Sequence, residues 1–90
     1  MFYVYIAYQK SQDQYHIGTS IDLKRRIHTL NINRDTDKID LVYYEIFDNS
    51  DEAEKRENFL NNLSKEVLDE LVKESNPLKV NLIEILKPKL

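Results

Sequence analysis

A chain of 90 residues, 41% hydrophobic and 32% charged, suffices for one core but not for two, so we expect a single domain over residues 1–90. No apolar run approaches the ~20 residues that span a bilayer, and Met1 leads straight into Phe2 without a basic segment, which predicts a cytoplasmic protein with no membrane association and no signal peptide. The formal net charge of −3 argues weakly against nucleic-acid binding, but the acidic excess lies in the second half of the chain, and the basic triplet Lys24, Arg25 and Arg26 remains clustered.

The chain begins with a predicted hairpin. Phe2 to Tyr8 is rich in aromatic and β-branched residues, the polar stretch Gln9 to Gln14 suits a loop, and Tyr15 to Thr19 returns as the partner strand. Gly18 is the only glycine and ends this strand. A missing side chain there allows either a close backbone approach or an unusual φ.

A helix and a third strand are predicted next. The helix is capped by Ser20 or Thr19 and ends at about Asn31. Its apolar residues recur at i, i+4 and i+7, which leaves the basic triplet on the exposed flank; they are Leu23, Ile27 and Leu30. After a polar connector, Ile39 to Phe47 has the alternation of a strand.

The second half of the chain predicts two more helices. Asn49-Ser50-Asp51 is typical of a helix start with an acidic first turn. Ser64 is predicted to cap the following helix, which should end near Asn76-Pro77 because the residue before proline disfavours the α region. Leu78 to Leu90 fits either a strand or a short helix, and both alternatives stay open.

The residue types exclude several chemistries. There is no cysteine, no glycine-rich phosphate loop, no zinc-ligand spacing and no glycine-flanked serine turn. Any metal must therefore be held by oxygen or histidine ligands, which favours Mg²⁺ or Mn²⁺. Tyrosine, arginine, glutamate and a divalent cation together suffice for phosphodiester hydrolysis, because the metal activates water while arginine neutralises the developing charge.

The order of short motifs resembles the GIY-YIG nuclease family. Tyr3-Val4-Tyr5 and His16-Ile17-Gly18 are similar to the GIY and YIG strands, and Thr19 to Arg26 looks like the Arg-bearing helix. The third strand and the Glu-bearing helix of the short stand-alone bacterial members are matched by two later segments, Leu41 to Glu45 and Ala53 to Glu57. Asn76-Pro77 is similar to the ending of those proteins.

This resemblance covers about residues 2–77, with 78–90 as a C-terminal extension. It implies an α+β fold, in which a small three-stranded mixed or antiparallel sheet is flanked by three or more helices. It also implies site residues: Tyr5 would position or deprotonate the attacking water, Arg26 would contact the scissile phosphate, and Glu57 would bind Mg²⁺ or Mn²⁺. Lys24, Arg25 and Arg26 would contact the nucleic acid.

Three positions depart from the family pattern. His16 replaces the YIG tyrosine, Leu30 stands where a histidine is often found, and Asn61 stands where related small proteins usually carry lysine. His16 is either a hydrogen-bonded strand residue or a general base, since an imidazole with an ordinary pKa of about 6.5 suits neutral pH better than a phenol near 10. Both alternatives stay open.

The function we expect is metal-dependent cleavage of DNA, with structure-selective rather than sequence-specific recognition. We expect weak binding to structured or branched DNA. We expect Tyr5, His16, Arg26 and Glu57 to converge on one concave surface. The alternative is a catalytically silent module that binds nucleic acid or protein. In that case Arg26 and Glu57 would be solvated helix charges, with Glu57 pairing with Asn61 or Lys65.

Overall fold

The computed structural model describes residues 1–86 and shows a three-stranded sheet flanked by helices, so the predicted α+β class is confirmed. None of the helices within these residues is long and apolar enough to cross a membrane. A single 3-10 turn, Lys10–Gln12, joins the first two strands. The other elements in chain order are β1 (Phe2–Gln9), β2 (Gln14–Ser20), α1 (Leu23–Leu30), β3 (Ile39–Phe47), α2 (Ser50–Asn61), α3 (Lys65–Ser75) and α4 (Leu82–Leu86).

The central strand β1 is buried on both of its faces. The strand order is β2-β1-β3, and β1 is antiparallel to both neighbours. Successive side chains of β1 point to opposite faces, so Val4 and Ile6 enter one core while Tyr5 and Ala7 enter the other. This is why the segment reads as one continuous apolar run in the sequence.

Each face of the sheet has its own set of helices. The first core contains Val4 and Ile6 together with residues of α2 and α3: Ala53, Leu60, Leu68 and Val72. The second core joins Tyr5 and Ala7 to α1 and to the start of β3: Leu23, Ile27, Ile39 and Leu41. The sheet is therefore the middle layer, and α1 lies on the face opposite α2 and α3.

A β-bulge lies in β3 beside the centre of the sheet. Ile6 pairs with Tyr43 and Ala7 with Leu41, so Val42 is the extra residue of β3. An extra residue increases the local twist of a strand. The side chain of Val42 is fully buried and packs in the first core.

The start of α1 differs from the sequence prediction, whereas the starts of α2 and α3 confirm it. Asp22 caps α1, its carboxylate accepting from the Arg25 amide at 3.1 Å. Ser20, one of the two predicted caps, instead shapes the turn before the helix, because its hydroxyl accepts from the Asp22 amide at 3.0 Å. The helix α2 begins within the predicted Asn49-Ser50-Asp51 and is capped by Asn49, and α3 is capped by Ser64 as predicted.

For Leu78 to Leu90 the sequence was compatible with a strand or a short helix. Part of this segment forms the helix α4, and residues 87–90 lie outside the described residues. Two asparagines beside it cover the free edge of β3. The side chain of Asn81 accepts from the Leu41 amide at 3.2 Å. That of Asn76 donates to the Val42 carbonyl at 3.1 Å and to the Val80 carbonyl at 2.9 Å. The unpaired backbone groups of an edge strand are thereby partly satisfied within the chain.

Replacing Asn76 with alanine should destabilise the fold by about 1–3 kcal/mol, because a buried carbonyl of β3 loses its donor. Asn76 is only 5% exposed, so water does not readily replace the lost side chain. The measurement is the free energy of unfolding in urea, with Asn58→Ala on the exposed surface of α2 as the control. The control should change stability by less than about 0.5 kcal/mol; equal effects of the two substitutions would contradict this role of Asn76.

Candidate functional site

The Tyr5 side chain lies directly against Gly18. The two residues pair across β1 and β2, and a Cβ on Gly18 would lie 2.6 Å from the Tyr5 hydroxyl oxygen and 2.9 Å from Cζ. Gly18 does not have a positive φ. Of the two reasons that the sequence allowed for this glycine, the close approach is therefore correct and the unusual φ is wrong.

The Tyr5 ring is buried, but its hydroxyl remains accessible. Tyr5 is 6% exposed, and none of the described side chains forms a hydrogen bond with its hydroxyl. Since no buried side-chain nitrogen or oxygen within residues 1–86 lacks a partner, this oxygen keeps contact with solvent.

Arg26 and Glu57 both act electrostatically on Tyr5. Burial raises the pKa of Tyr5 above its ordinary value of 10.0, the positive charge of Arg26 opposes this rise, and the negative charge of Glu57 adds to it. Arg26 belongs to α1 and Glu57 to α2, which lie on opposite faces of the sheet. The structure thus brings one cation and one carboxylate into electrostatic range of the same phenol.

Glu57 is half-buried and forms no salt bridge within the described part of the chain. Lys65, one of the two partners that the alternative interpretation assigned to it, binds Asp13 at 3.1 Å and Asp69 at 3.3 Å instead. Asn61, the other, does not hydrogen-bond Glu57 either. Within residues 1–86 the carboxylate of Glu57 therefore has no salt-bridge or hydrogen-bond partner that would explain its presence.

Glu57 suits a cation that needs few protein ligands. Residues 1–86 contain no group of three or more histidine, aspartate or glutamate side chains that could hold a metal ion. Mg²⁺ and similar hard cations keep several waters and bind through one or two carboxylates together with substrate phosphates. A single carboxylate would fit such an ion where waters and substrate phosphates complete its coordination.

His16 lies on the same sheet face as Tyr5 but belongs to a separate hydrogen-bond network. It pairs with Ala7 across the hairpin, and its Nε2 lies 2.9 Å from the side-chain oxygen of Gln9. The side-chain nitrogen of Gln9 donates in turn to Asp37 at 2.7 Å. Neither Gln9 nor Asp37 could be found from the sequence, because each reads as an ordinary polar residue at the end of a strand or in a connector.

The basic triplet is exposed, but its members face different surfaces. Arg25 and Arg26 line a shallow depression of about 330 Å³ beside Ser20 and Thr29. Lys24 lines another cavity, of about 520 Å³, between α1 and α4. Tyr5, His16 and Glu57 do not line the depression that contains Arg26.

The fold that carries these residues is a small α+β domain. The family model described as the GIY-YIG catalytic domain matches residues 1–70, from β1 into α3, and the chain belongs to the GIY-YIG family. Nucleases of this family generally depend on a divalent metal ion and act on nucleic acid. Searches of curated proteins and of solved structures gave no significant match.

Gly18→Ala should destabilise the protein by about 1–3 kcal/mol, since the new methyl group would overlap the Tyr5 phenol. In a Tyr5→Phe background the same change should cost less, because the nearest atom, the hydroxyl oxygen at 2.6 Å, is gone. A double-mutant cycle of unfolding free energies measures this coupling. Additive effects would mean that the ring and the glycine do not constrain each other.

Removing the two charges near Tyr5 should move its pKa in opposite directions. Arg26→Ala should raise the pKa further, because the cation that favours the phenolate is lost, and Glu57→Gln should lower it. An NMR titration of ¹³C-labelled tyrosine, with the Tyr5 signal assigned from Tyr5→Phe, measures both shifts. Lys55→Ala and Glu54→Gln, at exposed positions of α2, are the charge-matched controls; a Tyr5 pKa that responds equally to all four substitutions would contradict the placement of Arg26 and Glu57.

Proposed function

We propose that this protein is a divalent-metal-dependent endonuclease that hydrolyses phosphodiester bonds in DNA. The observation that carries the proposal is the combined action of Arg26 and Glu57 on the accessible hydroxyl of Tyr5. Phosphodiester hydrolysis needs a cation for the phosphate, a polar group for the water and an anchor for a metal. These three side chains supply one of each.

Arg26 is the phosphate-binding group in this mechanism. It is exposed and forms no salt bridge within residues 1–86, so its guanidinium is free to donate to phosphate oxygens. A planar guanidinium binds two such oxygens at once and neutralises the charge that develops as the water attacks. Arg25, in the same depression, would bind a neighbouring phosphate.

Tyr5 positions the water and does not deprotonate it. Its pKa is raised, so the phenol is protonated at neutral pH. A neutral hydroxyl both donates and accepts hydrogen bonds, and it can therefore orient a water against the phosphorus while remaining unchanged. Another group must take the proton of that water.

Glu57 would hold the divalent ion, Mg²⁺ or Mn²⁺, which when bound supplies Lewis-acid stabilisation of the phosphate oxygens. The chain itself contributes a carboxylate that no other described side chain neutralises. The lack of a richer ligand set suggests that the affinity for the ion is low in the absence of DNA.

The substrate that we propose is structured or branched DNA. Two arginines near the site give few phosphate contacts, so binding should be weak and strongly reduced by salt. Contacts of this kind position a phosphate without reading bases. The shape of the DNA would then decide which phosphate reaches Tyr5 and Arg26.

One observation favours a catalytically silent binding module as a second candidate. Leu30, at the position where the family often has a histidine, packs against the second core and supplies no functional group. A protein that binds branched DNA through Arg25 and Arg26 but does not cleave it under any metal condition would have this second function.

Glu57→Ala should abolish nicking of plasmid and branched DNA in Mg²⁺ or Mn²⁺, while its weak DNA binding and its fold persist. Glu54→Ala, on the exposed surface of the same helix, is the matched control and should retain full activity. Arg26→Ala should slow cleavage by roughly 10²–10³-fold, as expected for the loss of a preorganised donor to a developing anion. Nicking that survives Glu57→Ala would contradict the assigned metal anchor, and a parent protein that nicks no substrate would favour the binding module.

A further inference from the structure

A chain of hydrogen bonds leads from His16 to the connector between α1 and β3. His16 Nε2 contacts the Gln9 side-chain oxygen at 2.9 Å, and the Gln9 side-chain nitrogen donates to Asp37 at 2.7 Å. Gln9 is 6% exposed, and with Asn76 it is one of two buried polar residues within the described part of the chain. A buried amide requires a partner for each of its ends, and here His16 and Asp37 serve as those partners.

The direction of each hydrogen bond follows from Asp37. An ionised carboxylate only accepts, so the amide nitrogen of Gln9 must face it. The amide oxygen of Gln9 then faces His16, and an oxygen acceptor requires a proton on Nε2. In a neutral imidazole with its proton on Nε2, the lone pair is on Nδ1.

Asp37 is itself held in place and kept ionised. The Ser11 hydroxyl and the Gln9 side-chain amide donate to the Asp37 carboxylate, and Arg34 Nη1 lies 3.1 Å from its Oδ2. These contacts keep the pKa of Asp37 below its usual range. Arg34 also donates to the Leu30 carbonyl at the end of α1, at 3.0 Å. The carboxylate that orients Gln9 is thus anchored to a helix end.

His16 is close to the candidate site in the strand that carries Gly18. It lies two residues before Gly18 on the same face of the sheet, a separation of about 7 Å along a strand. Because Tyr5 is a neutral phenol, the proposed reaction lacks a proton acceptor among Tyr5, Arg26 and Glu57 if Glu57 binds the metal. His16 is the only histidine of the paired strands β1 and β2, and it lies on the sheet face of Tyr5.

We propose that Gln9 and Asp37 are positioning residues that hold His16 in the tautomer with its proton on Nε2, which leaves Nδ1 to accept the proton of the attacking water. This inference rests on the nuclease function proposed above. In the step, a water O–H bond breaks and an Nδ1–H bond forms while the water oxygen bonds to phosphorus. The P–O bond to the leaving strand breaks with its electron pair on the leaving oxygen, which takes a proton from solvent.

Asp37→Asn is the decisive variant because it removes the requirement that Asp37 accept, although it also removes the charge that pairs with Arg34. An asparagine can present either its oxygen or its nitrogen, so the Gln9 amide can rotate and the proton of His16 can move to Nδ1. Asp37→Glu keeps an accept-only group and should preserve the parent behaviour. Asp35→Asn, an exposed change of the same type in the same connector, is the control.

The first readout is the ¹⁵N NMR spectrum of histidine-labelled protein, which distinguishes the two tautomers without any need for activity. The parent, Asp37→Glu and Asp35→Asn should show His16 with its proton on Nε2, and Asp37→Asn should show a substantial Nδ1-protonated population. His28, exposed on α1, should be unchanged in all four proteins and serves as the internal reference. An Nδ1-protonated His16 in the parent, or a tautomer that ignores Asp37→Asn, would overturn the proposal.

The second readout is the nicking rate on branched DNA. Asp37→Asn should lower the nicking rate by roughly 10-fold or more with DNA binding unchanged, because misplacing a general base costs most of its contribution. Asp37→Glu and Asp35→Asn should both keep the parent rate. A changed tautomer with an unchanged rate would overturn the role of Nδ1 while leaving the nuclease function intact. A controlled tautomer in a protein that never cleaves DNA would overturn both the nuclease function and the proton-accepting role.

Discussion

The contact between Tyr5 and Gly18 is the constraint on which the candidate site depends. The central strand carrying Tyr5 is buried on both faces, so a large polar side chain there must find a route to solvent for its hydroxyl. The tip of this side chain lies over Gly18, where the neighbouring strand has no side chain, and a Cβ there would lie 2.6 Å from the hydroxyl oxygen. This places the phenol tip where α1 and α2, from opposite faces of the sheet, bring Arg26 and Glu57 into range.

The net charge of the chain says little about its ability to bind DNA, because most of the paired charges lie away from α1. Within residues 1–86 the salt bridges involve Arg34, Arg56, Lys65 and Lys79. Arg56, for example, binds both carboxylate oxygens of Glu45 at 2.9 Å. The cations of the basic triplet take part in none of these pairs, and a free cation at the site contributes more to phosphate binding than a neutralised one elsewhere.

Local patterns predicted the strands and helices well because those depend on alternation, caps and proline placement within a few residues. The predicted cap of α1 was wrong because the side chains of Thr19, Ser20 and Asp22 can all cap a helix. The choice among them depends on the geometry of the turn before the helix. The site residues came from the ordered resemblance, as Glu57 by itself reads as a solvated helix charge. The partners of His16 could not be predicted: Gln9 and Asp37 are 28 positions apart, and no periodicity connects a strand end with a distant connector.

Tyr5 and His16 lie on the same face of the sheet, but their environments suit them to different chemical roles. Burial and the Glu57 carboxylate keep the proton on Tyr5, and Arg26 only partly opposes them. At His16 the constraint is one of geometry, because Nε2 faces the side-chain oxygen of Gln9, whose side-chain nitrogen donates to Asp37. A phenol that retains its proton can orient a water but cannot act as its base, whereas an imidazole with a free lone pair can. Under the proposed mechanism, a histidine at the position of the family's second tyrosine would add a function to the site that a second phenol would not provide at neutral pH.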